Sequence, residues 1–365
     1  SAGEIILRSP RFQESILIAD LSIEKTKITE NYLPVIEVSS TRNHEGKIML
    51  ISGFNKMLAL QAAFVTESAA IASYHWIGRG NEKSADKAAV DAMRNELNKM
   101  NIDGEIVIGE GERDEAPMLF IGEKVGTGDG PKVDIALDPL EGTTLTAKNM
   151  ANALAVMAFS PRGRMLNAPD TYMDKIAVGP GYAPGIINLD NSPTDNILAI
   201  SSAKGVKPSE ITVCVMDRER HKDLINELRN LDVKISLITD GDVQGIIATT
   251  NPSTNIDIYI GRGGAPEGVL AAAALRCVGG QMEGRLHFRN DVEIERARKV
   301  GIDDLDKKYN LDGLASGPAI FAATGVTTGS LLDGVRFDKN YVSTHTLIMN
   351  SIDASVQNLR SHRPI

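Results

Sequence analysis

The segment Ile108-Gly109-Glu110-Gly111-Glu112-Arg113-Asp114-Glu115 places carboxylates at alternate positions directly after an apolar run. In an extended chain alternate residues point to one side, so Glu110, Glu112 and Asp114 converge. Like charges that close repel, unless a cation sits between them or one keeps its proton. A hard divalent cation such as Mg²⁺ or Mn²⁺ resolves the conflict, taking oxygen ligands while leaving positions for phosphate and water. For this cluster alone, a solvated acidic turn is the commoner explanation. A second cluster shifts the balance: Asp134-Ile135-Ala136-Leu137-Asp138-Pro139-Leu140-Glu141-Gly142-Thr143-Thr144. Here another apolar strand ends at Asp138, Pro139 is expected to stop the ladder and turn the chain, and Glu141 follows. Gly142 leaves the backbone open before two hydroxyls. If Thr143 opens a helix or turn, the neighbouring amides face an anion. Carboxylates for a metal beside exposed backbone donors suit a phosphoryl group.

These residues need elements to hold them. Apolar positions at helical spacing predict a helix over 57–77, and a second from Ser84, as its N-cap, to about Met100. Asp86 falls just after that cap, where a capping or dipole role competes with a ligand role. Strands are expected at 105–108, 133–137 and 153–159. Beyond residue 205, strands at 211–216, 233–238 and 256–260 alternate with helices near 220–230, 242–249 and 266–278, the pattern of a layered α/β region with parallel strands. Further strands centre on 319–321 and 347–349. Short apolar runs at Ile5–Leu7 and Ile16–Ile18 point to strands in an amino-terminal appendage, 1–48, of no assigned role. A boundary near 195–208 divides the remainder into 49–200, with the acidic strand ends, and 201–365, with the alternating pattern. Glu267 follows Gly263-Gly264-Ala265-Pro266 at the start of a small-residue helix, where the glycine pair would let a phosphate or ion approach. The run Gly126–Gly130 is read as a hairpin turn, and Cys214 as an inert core thiol.

Composition limits the possibilities. The 365 residues are 42% hydrophobic and 24% charged, in keeping with a soluble globular protein, and no apolar run approaches membrane-spanning length. A net charge of −9 without a Lys/Arg cluster argues against nucleic acid. Two cysteines make neither a disulfide framework nor a zinc site, so a reducing, cytoplasmic compartment is expected. The histidines show no metal-ligand spacing, and only His221 lies beside candidate phosphate-binding arginines.

The motif Asp138-Pro139-Leu140-Glu141-Gly142-Thr143, preceded by Gly109-Glu110-Gly111-Glu112, resembles the signature of the lithium-sensitive, metal-dependent sugar-phosphate phosphatases. Val107 to Leu119, Asn167 to Met173 and Gly263 to Gly268 are similar to the class II, bacterial fructose-1,6-bisphosphatases within that superfamily. The likeness runs from about Thr66 to the carboxyl terminus.

The resemblance implies an αβαβα layered sandwich and hydrolysis of the 1-phosphate of fructose 1,6-bisphosphate, with sedoheptulose 1,7-bisphosphate as a further substrate, in gluconeogenesis or a carbon-fixation cycle. It implies that Asp86 and Glu110 bind one Mn²⁺ or Mg²⁺ ion and that Asp138, Glu141 and Glu267 bind a second. Thr143 and Asp114, with Glu112 beside them, would activate the attacking group. Substrate contacts would come from Glu141, Gly142, Thr143, Tyr172, Arg218, Glu219, Arg220, Asp240, Gly241, Asp242 and Gly264. At 218–220 the family pattern is lysine, any residue, arginine; here Arg218-Glu219-Arg220 keeps the charge but inserts a glutamate. A homo-oligomer, dimer or tetramer, is also implied. Two alternatives remain: an inositol- or nucleotide-phosphate phosphatase of the same superfamily, and a sugar-phosphate-binding regulatory protein without catalysis. The 167–173 and 263–268 motifs argue against the first, and retention of every metal carboxylate against the second.

Overall fold

The computed structural model describes the backbone of residues 36–42, and residues 56–111 and 118–365 in full. The strands expected at Ile5–Leu7 and Ile16–Ile18 lie outside the described residues, as do Glu112 and Asp114. Along the chain come β1 (Ile36–Arg42), α1 (Lys56–Tyr74), α2 (Glu82–Leu97), β2 (Asp103–Ile108), β3 (Lys124–Val125), β4 (Lys132–Glu141), α3 (Thr143–Ala147), β5 (Leu154–Pro161) and β6 (Tyr172–Val178). Then follow α4 (Pro193–Lys204), β7 (Thr212–Met216), α5 (Lys222–Asn230), β8 (Lys234–Ile238), α6 (Asp242–Ala248), β9 (Ile258–Gly264), α7 (Ala265–Val278), β10 (Gln281–His287) and α8 (Asp291–Lys299). The chain closes with β11 (Lys308–Asn310), α9 (Leu311–Leu314), β12 (Ile320–Gly325), β13 (Arg336–Phe337), β14 (Tyr341–Asn350) and β15 (Ser355–Pro364).

Two sheets result. The first runs β1-β15-β14-β12-β5-β4-β2-β3, with β13 on β14, and the second runs β11-β10-β6-β9-β7-β8. The expected parallel pairing holds for β7 with β8 and β9, whereas β6 runs antiparallel to both β9 and β10.

Strand periodicity sorts the side chains into layers. Ile135, Leu137, Met157, Phe159 and Ile320 pack with α1 and α2 on one face of the first sheet. Ala136, Val156, Ala158 and Phe321 point the other way, towards α6 and α7, and meet Ala177, Cys214 and Tyr259 from the second sheet. The outer face of the second sheet, with Ile176, Val213 and Ile258, covers α4 and α5. The order is therefore helix, sheet, helix, sheet, helix, the expected αβαβα sandwich. Ala271 to Ala274 of α7 are all fully buried, because a helix between two sheets has small residues on every side. Cys214, on β7, is buried facing that middle layer, and burial pushes its thiol up to about 12. No helix among the described residues is long and apolar enough to cross a membrane.

Several local expectations are corrected. The second helix starts two residues before Ser84 and is capped by Asn81, whose side chain accepts from the Ser84 amide at 3.0 Å. Strand β4 continues through Pro139 to Glu141, because its ladder to β5 skips between Asp138 and Glu141 and a bulge tolerates the missing donor. The Gly126–Gly130 run is no hairpin: β3 and β4 both pair with β2, and the loop crosses its start against Asn101 and Ile102. At the edge of the boundary region expected near 195–208, Ser192 caps α4 and accepts from the Asp195 amide.

One buried charge pins α1 to the first sheet. Glu67 has no exposed surface; it accepts hydrogen bonds from Thr344 at 2.9 Å and Ser361 at 2.6 Å and is paired with Arg363. Arg363→Ala leaves that carboxylate without its cation, and should lower unfolding free energy by about 3 kcal/mol in urea denaturation. A change below about 0.5 kcal/mol would show the pair to be dispensable.

Candidate functional site

The carboxylates reach one place from separate elements. Asp86 is the fifth residue of α2, past the first turn, so the capping alternative falls away. The α2 start is tied to α3 where Thr144 donates to Glu82 Oε1 at 2.8 Å. Glu110 follows β2, its amide donating to Leu119 O at 3.0 Å. The preceding position must be glycine, since a Cβ on Gly109 would stand 2.1 Å from that same oxygen. Asp138 and Glu141 flank the bulge in β4. Asp138 Oδ1 accepts from the Leu140 amide at 3.0 Å, and Glu141 Oε1 from the Val243 amide of α6 at 3.1 Å. Gly142 then turns left-handed (φ 83°) and Thr143 begins α3.

The glycine pair before α7 has a more specific reason than open approach. A Cβ on Gly263 would lie 1.8 Å from Asp242 Oδ2, and one on Gly264 1.8 Å from Glu267 Oε2. Both glycines make room for carboxylates. Asp242 is itself paired with fully buried Lys175, which also donates to Gly264 O at 2.8 Å.

A cavity of about 660 Å³ collects these groups. Its wall includes Asp86, Glu110, Asp138, Glu141, Gly142, Thr143, Tyr172, Arg218, Arg220, Asp240, Gly241, Asp242, Gly264 and Glu267, every described site residue expected from sequence except Glu219. Glu219 faces out and pairs with Lys222 at 2.6 Å. His221 is a structural residue: its Nδ1 donates to Met216 O at 2.7 Å and its Nε2 accepts from the Arg262 amide at 2.8 Å. Two groups went unread in the sequence. Lys175 shares the inward register of β6 with Met173 and Ala177, a usable signal, since a lysine facing a core needs a partner. Arg289 also lines the cavity, and nothing in its local sequence marks it.

Crowding these acids raises their affinity for protons. Burial and then the charges of Asp86, Asp138 and Glu267 push Glu110 up to about 9. Burial, with Asp242 and Asp138 nearby, brings Glu267 to about 7, while burial takes Asp138 to about 6. Glu141 is driven well above the carboxylate range by burial and by Asp138. Glu267 Oε2 is buried with no hydrogen-bond partner. The donor set is all oxygen, it repels itself, and one of its atoms is unsatisfied, so it fits a hard divalent cation. Among the described residues, no three His, Cys, Asp or Glu side chains are placed to hold a metal ion together.

Glu110 binds its proton more tightly folded than unfolded, so the stability it contributes is present below about pH 4.5 and is lost as pH rises through about 9. In chelator, the melting temperature should fall from pH 6 to pH 9, and fall less in Glu110→Gln, which stays neutral. A steeper fall in the variant would contradict the repulsive cluster.

Comparison with known proteins agrees with this chemistry. The family described as bacterial fructose-1,6-bisphosphatase, glpX-encoded, matches residues 56–363. A relative from Escherichia coli (strain K12), named fructose-1,6-bisphosphatase 1 class 2, is 47% identical over 318 residues, covering 83% of this chain and 94% of its own. One from Prochlorococcus marinus (strain MIT 9301), named D-fructose 1,6-bisphosphatase class 2/sedoheptulose 1,7-bisphosphatase, is 45% identical over 317 residues, covering 83% and 95%. A solved inositol monophosphatase from Anabaena (Nostoc) sp. PCC 7120 matches 53% of this chain and 70% of its own at 11% identity, with a TM-score of 0.29 that is too low to bear on the fold.

Proposed function

The chain belongs to the bacterial, glpX-encoded class 2 fructose-1,6-bisphosphatases, and from that premise we propose that its cavity hydrolyses the 1-phosphate of fructose 1,6-bisphosphate to fructose 6-phosphate and inorganic phosphate. The observation that carries the proposal is a single cavity lined by two opposed sets of charge, the carboxylates of Asp86, Glu110, Asp138, Glu141 and Glu267 and the guanidinium groups of Arg218 and Arg220. A bisphosphate needs both sets, one to assist the reacting phosphate and one to hold the other. The Prochlorococcus relative's name adds sedoheptulose 1,7-bisphosphate as a second substrate of the same shape of chemistry.

Asp86 and Glu110 would hold one divalent cation, Mn²⁺ or Mg²⁺, and Asp138, Glu141 and Glu267 a second. Such cations, when bound, neutralise charge on the phosphoryl and leaving oxygens and make a water acidic enough to attack near neutral pH. The chain's own groups do the rest. Thr143, at the start of α3 against the cavity, orients the attacking water with its hydroxyl. Asp114 takes the proton that water loses, and Glu112 is the further acid assigned to this step. As the new P–O bond forms, the bond to the sugar oxygen breaks and that oxygen takes up a proton from solvent. Asp240 and Asp242 accept hydrogen bonds from sugar hydroxyls, and Lys175 fixes Asp242 for the purpose. Arg218 and Arg220 hold the remote phosphate through charge-assisted hydrogen bonds. The family's expected self-association extends to this chain as a homo-oligomer.

The test is phosphate release from fructose 1,6-bisphosphate with Mn²⁺ or Mg²⁺, and again with chelator. Release should be abolished by chelator, and Thr143→Ala should cut kcat by about 100-fold or more while Thr143→Ser recovers part of it. Release that persists in chelator would overturn the metal-carboxylate reading.

A further inference from the structure

Tyr172 opens β6 and is flanked across the sheet by Gly264 of β9 and His287 of β10. Two guanidinium groups lie against its ring, that of Arg220 at 4.8 Å from the centroid and that of Arg289 at 4.6 Å. All three residues line the active-site cavity. Arg289 comes from a different part of the chain, just before α8, and is braced from behind. Its Nε donates to Glu293 Oε1 at 2.5 Å and its amide to Glu293 Oε2 at 2.8 Å. Thr171, next to Tyr172, donates to the same Oε2 at 2.8 Å. The Glu293 side chain is only 4% exposed, whereas that of Arg289 is 49% exposed. A buried carboxylate thus anchors one edge of the guanidinium and leaves the other open. Among the described residues, Arg289 Nη1 and both Nη atoms of Arg220 have no protein partner, since Arg220 uses only its Nε, on Arg262 O at 2.9 Å.

Two oriented guanidinium edges sharing one aromatic ring, each with unused donors facing a cavity, form a clamp for a dianion. We propose that Arg289 is a specificity-determining residue, gripping with Arg220 the phosphate that is not cleaved and so selecting sugar bisphosphates over monophosphates. This rests on the bisphosphatase reading above. Glu293 and Thr171 are its positioning residues.

The experiment compares the full chain with Arg289→Ala and Arg289→Lys, after checking that all three melt alike. Turnover is measured on fructose 1,6-bisphosphate and fructose 1-phosphate, and calorimetry measures binding of fructose 6-phosphate, which carries only the remote phosphate. In Arg289→Ala the kcat/KM preference for the bisphosphate should fall about 10- to 100-fold, chiefly through KM, with fructose 6-phosphate bound weaker by a similar factor. Arg289→Lys should restore part of both, keeping the charge without the planar fork. An unchanged preference with unchanged fructose 6-phosphate binding would overturn the clamp, and equal losses on both sugars would reassign Arg289 to structure. If the unaltered chain hydrolyses neither sugar yet Arg289→Ala loses fructose 6-phosphate binding, the clamp stands and the bisphosphatase reading falls.

Discussion

Mutual repulsion among carboxylates is the constraint on which the rest of this molecule turns. Asp86, Glu110, Asp138, Glu141 and Glu267 are five of the acids that gather at one cavity, and burial there removes the water that would otherwise screen them. Without a cation the fold meets the cost by holding protons, Glu110 up to about 9 and Glu267 up to about 7. Besides the arginines of the cavity wall, Lys175 is wholly buried and locked onto Asp242. It compensates Asp242, which is not one of the five, so their repulsion is left uncompensated by Lys175.

The architecture explains how so costly a cluster is held. Asp86, Glu110, Asp138, Glu141 and Glu267 are anchored in α2, after β2, in β4 and in α7, elements that belong to three different layers. The middle layer is an alanine-rich helix, and its small side chains bring the two sheets close enough for their strand ends to share a site. Glycine performs the final adjustment. At 109, 263 and 264 a single added carbon would strike backbone or a functional carboxylate, so the glycines in these motifs are consequences of crowding as much as of turns.

Much of this was legible in the sequence because it rests on local signals. Acidic residues closing apolar strands, the period-two runs and the small-residue helix all report on their immediate neighbours. The five layers themselves came from family resemblance; the periodicity supports only an alternating α/β region. Other features depend on residues far apart in the chain. The bulge that carries β4 through Pro139 depends on its partner β5, and the crossing at Gly126–Gly130 depends on which strand β2 lies between. Lys175 and Arg289 gain meaning only from Asp242 and Tyr172, which lie 67 and 117 positions away along the chain. Ser84 is itself a good capping residue, which in sequence puts Asp86 one turn too early, and only the geometry shows that Asn81 accepts from the Ser84 amide.

Proton release on metal binding reads the carboxylate repulsion directly. Metal-stripped protein would be titrated with Mn²⁺ by calorimetry at pH 7, in buffers of differing ionisation heat. Glu110, protonated at that pH because its affinity lies near 9, must give up its proton to become a ligand. Release of about one proton or more per chain is expected, with tighter binding as pH rises. Saturable binding with no proton release, or no binding at all, would contradict it.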